Sequence, residues 1–552
     1  MKQYGNVYLI AAISIIGGGL FGFDMSSMSA IIATPGYRCY FNQGDKPCAG
    51  PTSSTQGGIV ASMAAGSWLA SLCSGFVSDS FGRKKSIMLG ASIWIIGCII
   101  VSASQNIAML IVGRIINGMC VGNCSAQVLV YISELAPPTK RGRLVGAQQW
   151  AITWGIMIMF YISYGCSFMK GPAAFRVPWA LQMIPAIILL FGMMFLPESP
   201  RWLASKDRWE ECERVLVLVH GHGDPDSPWV ACEFREIKDW LEIERQSKQI
   251  SYLTLFTPRY INRTHIGLFT QIWSQLTGMN VMMYYITYVF TMAGLTGNTL
   301  LVSSSIQYVI NVVMTIPALI WIDRLGRRPT LLVGSTLMAT WLFANAGVLA
   351  SYGVRVPGGV DGIPEAQIRV TGAASKAVIA CSYLFVASFA PTRGPVSWIY
   401  PPELFPNQLR GKAVAFTTSG NWAFNFALGY FVPPAFENIT VGNRPLWKYA
   451  NRETDKLLQW RTYIIFGVFC VAMTIHVFFM FPETAGKPLE QVTHMFEDPS
   501  GIKHIGTPAW KIKNYYSTSA RMERGEGLEK QLTDDRDESP VRHETVDAKK
   551  AV

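Results

Sequence analysis

The chain has 552 residues, 50% of them apolar and 15% charged, with a formal charge of +11. Apolar runs of about 18 residues or more recur along its whole length, which excludes an ordinary soluble domain and points to a chain that crosses a hydrocarbon core of roughly 30 Å many times. The positive charge does not read as a nucleic-acid surface, because much of it sits in tight loops between those runs rather than on one water-facing side.

The first run lies near 8–34 and contains Asp24. Little besides Lys2 precedes it and no small-residue cleavage pattern follows, so it reads as a membrane helix rather than a signal peptide. Further runs lie near 56–78, 86–104, 107–132, 144–166 and 178–196, and then near 264–292, 300–322, 329–350, 374–400, 411–435 and 462–482, which makes twelve candidates. Those at 86–104, 178–196, 329–350 and 462–482 are almost uninterrupted, and the others are softened by Gly, Ser, Gln and Asn. Between the two groups, charged helical patterns near 205–219 and 232–248 are expected to lie under the bundle as amphipathic helices. From about 497 the chain is polar, charged and poor in aromatics, the composition of a disordered tail.

The loop signals repeat. Asp79 to Lys84 reads D-S-F-G-R-K and Asp323 to Arg328 reads D-R-L-G-R-R. Glu134 to Arg143 reads E-L-A-P-P-T-K-R-G-R and Glu403 to Lys412 reads E-L-F-P-N-Q-L-R-G-K, while P-E-S-P-R at Pro197 and P-E-T-A-G at Pro482 end the last run of each half. The chain is therefore a duplication, and the expected architecture is all-α: twelve transmembrane helices in two six-helix halves, as in transporters whose site lies between the halves. The expected boundaries are 1–197 for the first half, 198–263 for a helical linker, 264–496 for the second half and 497–552 for the tail.

Four basic loops carry Arg83, Lys84 and Lys85; Lys140, Arg141 and Arg143; Arg324, Arg327 and Arg328; and Arg410 and Lys412. With residue 1 in the cytoplasm all four face inward, so both termini and the linker are expected to be cytoplasmic. The loop near 437–461, with Arg444, Lys448, Arg452 and Lys456, weakens that contrast. Of the eleven cysteines, Cys39 and Cys48 in the first outer loop form the pair placed to oxidise, and none has metal-ligand spacing. Asn438, in N-I-T on the expected outer side, is a glycan acceptor or a solvated amide, and Lys549 and Lys550 are candidates for modification in the tail. Phosphate-binding and dinucleotide fingerprints are absent from the sequence, as are metal-spaced His clusters and a nucleophile triad, so neither ATP-driven transport nor an enzyme is indicated.

Polar residues inside apolar helices are costly and mark function. In the seventh run Gln271, Ser274, Gln275 and Gly278 share a face by spacing, and Asn280 joins them only if the helix loosens at Gly278. The eleventh run offers Asn421, Trp422 and Asn425, the fifth Gln149 and the eighth Asn311. Amides present both a donor and an acceptor and so match the hydroxyls of a neutral polyol; alternatively they join helices to one another. Asp24 has Arg114 as its best partner. Glu134 and Arg141, and again Glu403 and Arg410, are spaced to form ion pairs at a helix end, which with Arg83 and Arg327 would make a cytoplasmic latch between the halves.

Together, Gly113–Arg114, the two D-x-x-G-R-[KR] loops, the two E-x-x-x-x-x-x-R motifs, P-E-S-P-R-W-L at Pro197 to Leu203 and Q-L-T-G-M-N at Gln275 to Asn280 resemble the sugar porter family of the major facilitator superfamily. The resemblance covers roughly residues 8–495, and G-F-D-M-S-S-M-S-A in the first helix is similar to fungal high-affinity hexose transporters. It implies carriage of a monosaccharide across the plasma membrane by alternating access, without a cofactor, with the lipid bilayer, the sugar and protons as the partners. It also implies that Gln149, Gln275, Asn280, Asn311, Trp398, Asn421 and Asn425 contact or flank the sugar, with Trp398 stacked on a pyranose face, and that Asp24 with Arg114 carries the proton. One departure stands out: the family commonly has two adjacent glutamines in helix seven, and the first is Ser274 here. Passive family members also carry an acid near Asp24, so a facilitated-diffusion uniporter is the alternative within the family. A non-transporting sugar sensor on the same scaffold is the alternative of another class.

Overall fold

The computed structural model describes the chain from Gly5 to Ala485, apart from residue 33 and short stretches of which the longest are 44–49, 243–250, 361–367 and 439–459, and beyond that Val492, Met495 and Phe496. The expected tail, including Lys549 and Lys550, lies outside the described residues, as do Cys48 and most of the 437–461 loop. Nine helices among the described residues are long and apolar enough to cross a membrane. We label the spans α1 (Val7–Ile31), α2 (Ser53–Phe81), α3 (Arg83–Ser102), α4 (Ile107–Leu135), α5 (Arg141–Cys166) and α6 (Ala173–Met194). The second half has α7 (segments Ile261–Leu276, Met279–Tyr284 and Ile286–Met292), α8 (Gly297–Leu325), α9 (Arg327–Tyr352), α10 (Ala373–Leu404), α11 (Asn407–Asn438) and α12 (Trp460–Met480).

The three spans that fall short of the apolar criterion are α5, α7 and α11, and their composition gives the reason. Gln148 and Gln149 dilute α5, Asn421 and Asn425 dilute α11, and α7 is cut into short segments. These are three of the four spans singled out for their amides; α8, with Asn311, remains apolar enough. Several helices start as their sequences dictate: Asn6, Thr52 and Asn106 accept from backbone N–H groups of the first turns of α1, α2 and α4, satisfying donors that a helix cannot pair itself. Outward faces are apolar, with Leu69 and Phe76 of α2 62% and 69% exposed, which suits a lipid environment.

In the first half α1 packs on α5, α2 on α4, and α3 on α4 and α6; in the second α9 packs on α10 and α12, and α7 on α10 and α11. The halves meet along α2 with α11 and α5 with α8. They are bridged near both ends. On the side away from the basic loops Ser29 bonds Tyr308 at 3.2 Å and Tyr164 donates to Asn298 at 2.5 Å. On the basic-loop side the Tyr252 hydroxyl, just before α7, donates to the Leu72 carbonyl of α2 at 2.9 Å. The chain between the halves forms helices Pro200–Ser205 and Trp209–Val219 and a 3-10 turn at Tyr252–Phe256. Trp209–Val219 buries Cys212, Val215, Leu216 and Val219 along one face, as an amphipathic helix should. Helical residues recur from Val230 to Glu242 in the described part of the second charged pattern. A short antiparallel pair, Val354–Arg355 with Ile368–Arg369, lies in the loop between α9 and α10.

The duplication is written into the ion pairs, and for Glu403 the structure corrects the sequence reading. Glu134 is held by Arg83, with Nε to Oε2 at 3.2 Å and Nη2 to Oε1 at 3.3 Å, and Glu403 by Arg327 at 3.2 and 2.7 Å. The side chain of Arg141 lies outside the description. Arg410 donates instead to the carbonyls of Pro402 and Phe405 at 3.1 and 3.4 Å. Each glutamate thus pairs within its own half, and these pairs do not latch one half to the other. The physical reason is reach: the arginine at the start of α3 or α9 lies directly beside the end of α4 or α10, and its fork meets the carboxylate edge-on.

The remaining repeat closes each clasp. Glu198 accepts from the Lys84 N–H at 3.0 Å, and Glu483 from the Arg327 and Arg328 N–H groups at 2.9 and 3.0 Å, so both carboxylates cap the helix after a basic loop. Burial raises the Glu198 carboxyl above its ordinary value, against the pull of those N–H bonds and of Arg83. Ser199 bonds Glu134 and Thr484 donates to Glu403 at 2.7 Å, while the Tyr131 and Tyr400 hydroxyls each donate at 2.6 Å to the carbonyls of Pro197 and Pro482. Gly82 and Gly326 have φ of 98° and 88°, and a Cβ there would stand 2.5 and 2.6 Å from the capping carboxylates. Gly82→Ala and Gly326→Ala are therefore expected to destabilise the protein alike, by about 1–3 kcal/mol each, read as a lower thermal midpoint of the detergent-solubilised protein; an unchanged midpoint in either would refute the equivalence of the two clasps.

Candidate functional site

In the second half, polar side chains of α7 and α11 converge around one amide. Gln275, on the first segment of α7, donates Nε2 to Asn421 Oδ1 at 2.7 Å, and its Oε1 accepts from Asn280 at 2.6 Å and Asn425 at 3.1 Å. The Asn280 bond exists because the helix is broken: Gly278 sits at φ 81° and restarts α7. That left-handed conformation is cheap only for glycine, and a Cβ at Gly278 would also strike the Phe466 ring at 2.8 Å. The loosening that the sequence demanded for Asn280 is therefore present at the residue expected.

The other expected residues fall into two groups. Asn311, Asn421, Asn425, Gln149, Gln275 and Trp398 are buried, whereas Ser274 and Asn280 are half-buried. Trp398 on α10 donates Nε1 to Gln149 Oε1 on α5 at 2.9 Å, and Trp422 on α11 donates to Ser125 Oγ on α4 at 3.1 Å, with its ring edge-on to Phe21 of α1 at 4.8 Å. Both indoles thus join the halves, so Trp398 is engaged through its N–H. Gln271 donates to the Ser397 carbonyl of α10 at 2.9 Å. Ser125 was not foreseen, nor were Gln148, Gln127 and Gln307, although those three are amides inside apolar runs.

The amides are tied to one another, but not all of their capacity is used. Asn421 Nδ2, Gln271 Oε1, Asn311 Oδ1, Gln148 Oε1, Gln307 Oε1, Thr287 Oγ1 and Thr418 Oγ1 are buried with no hydrogen-bond partner among the described residues. An unanswered buried polar atom costs about 1–3 kcal/mol, so this interior is chemically prepared for something that brings both donors and acceptors. No carboxylate belongs to this group, and a neutral, hydroxyl-rich solute matches it.

Beside this region Asp24 of α1 and Arg114 of α4 form a buried two-pronged pair, Nη2 to Oδ2 at 2.8 Å and Nη1 to Oδ1 at 3.3 Å. Arg114 Nε also donates to the Ile59 carbonyl of α2 at 2.9 Å. The pair joins three helices of one half, and losing either partner would strand a charge in an apolar interior. Cys39 is disulfide-bonded. Asn438 ends α11, and the rest of its N-I-T lies outside the described residues.

A profile of the family described as "Sugar (and other) transporter" matches residues 10–496. The chain is 50% identical to the high-affinity glucose transporter of Kluyveromyces lactis, covering 92% of this chain and 87% of that protein. It is 47% identical to high-affinity glucose transporter 1 of Candida albicans, covering 93% and 88%. Among solved structures it is similar to the proton:xylose symporter XylE, of the major facilitator superfamily, bound to 6-bromo-6-deoxy-D-glucose, with a TM-score of 0.73, 26% identity, and coverage of 89% of this chain and 99% of that one.

Phenylalanine in place of Trp398 or Trp422 keeps an aromatic side chain, deletes one bond between the halves worth about 0.5–1.5 kcal/mol, and leaves a small gap where the larger indole was. Each substitution is expected to raise amide hydrogen exchange in α4 and α10 about fivefold by favouring open forms; protection equal to wild type would show that these bonds do not hold the halves together.

Proposed function

The chain belongs to the sugar transporter family of the major facilitator superfamily, and we propose that within it this protein carries a hexose such as glucose into the cell together with a proton. Sugar transport is the family's activity, and the finer reading rests on one observation: a buried carboxylate–guanidinium pair stands beside a buried field of amides with unspent hydrogen-bonding capacity. A neutral sugar has no charge of its own to drive it uphill. A proton taken up by Asp24, which loosens that carboxyl from Arg114, supplies one.

In this reading Gln275, Asn280, Asn311, Asn421 and Asn425 bind the sugar, with Gln149, Gln271, Ser274, Trp398 and Trp422 around it. The bodies 1–197 and 264–496 rock about that site, joined by 198–263. The clasps built on Arg83 with Glu134 and Arg327 with Glu403 keep each body rigid, while Arg141 and Arg410, in the first turns of α5 and α11, stand on the side that separates on inward opening. The basic loops and both termini face the cytoplasm, and the membrane is the plasma membrane. The high-affinity glucose transporter names of the relatives and the proton:xylose symporter named among the solved structures support a hexose cargo and proton coupling.

One charge moving down roughly 100 mV releases about 2.3 kcal/mol, enough for about 50-fold accumulation before any pH gradient is counted. Asp24→Asn is expected to abolish uphill uptake and sugar-induced alkalinisation of the medium while sugar exchange persists. Uphill uptake retained in that variant would remove Asp24 as the proton carrier. Uptake in a transporter-deficient host that never exceeds equilibrium, and ignores a protonophore, would instead establish a uniporter; no uptake at all would favour a sensor.

The cargo follows from competition. Unlabelled glucose is expected to suppress uptake of labelled glucose more strongly than xylose or a linear polyol does, because a site that bonds a given hydroxyl discriminates steeply against its absence. Stronger suppression by xylose would overturn the hexose assignment.

A further inference from the structure

Helices α7 and α10 are joined by two side-chain-to-backbone bonds that run in opposite directions. Gln271 on α7 donates Nε2 to the Ser397 carbonyl on α10 at 2.9 Å, and Arg393 on α10 donates Nη2 to the Thr270 carbonyl on α7. Thr270 is the residue before Gln271, and Arg393 lies one turn before Ser397. The two bonds therefore form a cross-brace about one turn long.

Arg393 is an unusual choice for such a place. It is fully buried, no carboxylate among the described residues pairs with it, and its Nε and Nη1 have no partner there. A buried guanidinium without an anion is costly, and an apolar residue of similar volume would pack at lower cost. Packing alone does not account for it. What an arginine adds is a long side chain with a donor at its end, which here reaches the backbone of the neighbouring helix.

The brace lies one step from the proposed sugar contacts. Four residues beyond Gln271 on α7 is Gln275, which gathers Asn280, Asn421 and Asn425. Directly after Ser397 on α10 is Trp398, which bonds Gln149 of the other half. The break at Gly278 follows Gln275 and interrupts α7 there, the two sides being joined by the Asn280–Gln275 side-chain bond. We propose that Arg393 is a positioning residue for sugar binding: with Gln271 it fixes the first segment of α7 against α10, so that Gln275 and Trp398 meet the sugar at a set spacing while α7 beyond Gly278 moves.

The inference rests on the reading of these amides as the sugar site, but not on proton coupling, so its test uses exchange of labelled glucose at equilibrium in a transporter-deficient host. Arg393→Met keeps the length and removes the donor; it is expected to raise KM about tenfold, the loss of one hydrogen bond to a charged group, with Vmax per surface molecule nearly unchanged. Arg393→Lys, which can still donate to Thr270, should restore KM to within about threefold of wild type. Arg393→Gln is neutral but too short to reach Thr270, and it answers the same question, with the same rise in KM, if Arg393→Met fails to reach the membrane. Gln275→Ala is measured alongside. A merely structural arginine would lower yield and thermal stability and leave KM alone, so wild-type KM in Arg393→Met or Arg393→Gln, with a raised KM in Gln275→Ala, overturns the positioning role and spares the site. Unchanged KM in Gln275→Ala overturns the site reading itself, and the inference with it.

Discussion

In a hydrocarbon core there is no water to complete a hydrogen bond, so each polar group carried into the bilayer has to be answered by the protein or by its cargo. The arrangement around Gln275 is the fullest expression of that constraint. Its one carbonyl oxygen accepts from Asn280 and Asn425 and its amide donates to Asn421, so one side chain ties the two segments of α7 to α11. Asp24 and Arg114 obey the same rule by answering each other across α1 and α4. What the protein leaves unanswered, chiefly the free atoms of Asn421, Gln271 and Asn311, defines the chemistry of what it is proposed to carry.

Charge and neutral polarity divide the labour. The ion pairs of Glu134 and Glu403, with the capping carboxylates Glu198 and Glu483, lie within one half each and repeat almost residue for residue. The bonds that cross from half to half near the middle are single neutral ones, from Trp398 to Gln149 and from Trp422 to Ser125. Charge-assisted bonds are roughly twice as strong as neutral ones. Among the described residues the charge-assisted clasps therefore lie within the halves, and the contact between the halves rests on neutral bonds and packing.

The fold was legible because a bilayer imposes its thickness on the sequence: nine spans announce themselves by length and apolarity. The other three were legible as softer runs, since the amides that make them interesting also lower their hydropathy, and the repeated loops agree with the count of twelve. At Asn280 the helical angle required a break and Gly278 was the residue able to supply it, so local geometry sufficed. The partner of Glu403 was not legible from spacing. Arg410 follows seven residues later, but pairing was decided by which helix start stands beside the end of α10, and that is a matter of packing. Arg393 did leave a signal, an arginine inside an apolar run, yet its place beside T-R-G-P makes it look like a loop residue. Its carbonyl partner on α7 is invisible in any sequence.

The cut in α7 has a mechanical consequence. Gln275 stands before the joint at Gly278 and Asn280 just after it, so a ligand that grips both amides splints a hinge. On the proposed reading, loading the carrier and stiffening its flexible helix are the same event. Without the ligand that joint is bridged by the Asn280–Gln275 bond alone, so a ligand able to grip only one side of it would add nothing to the splint.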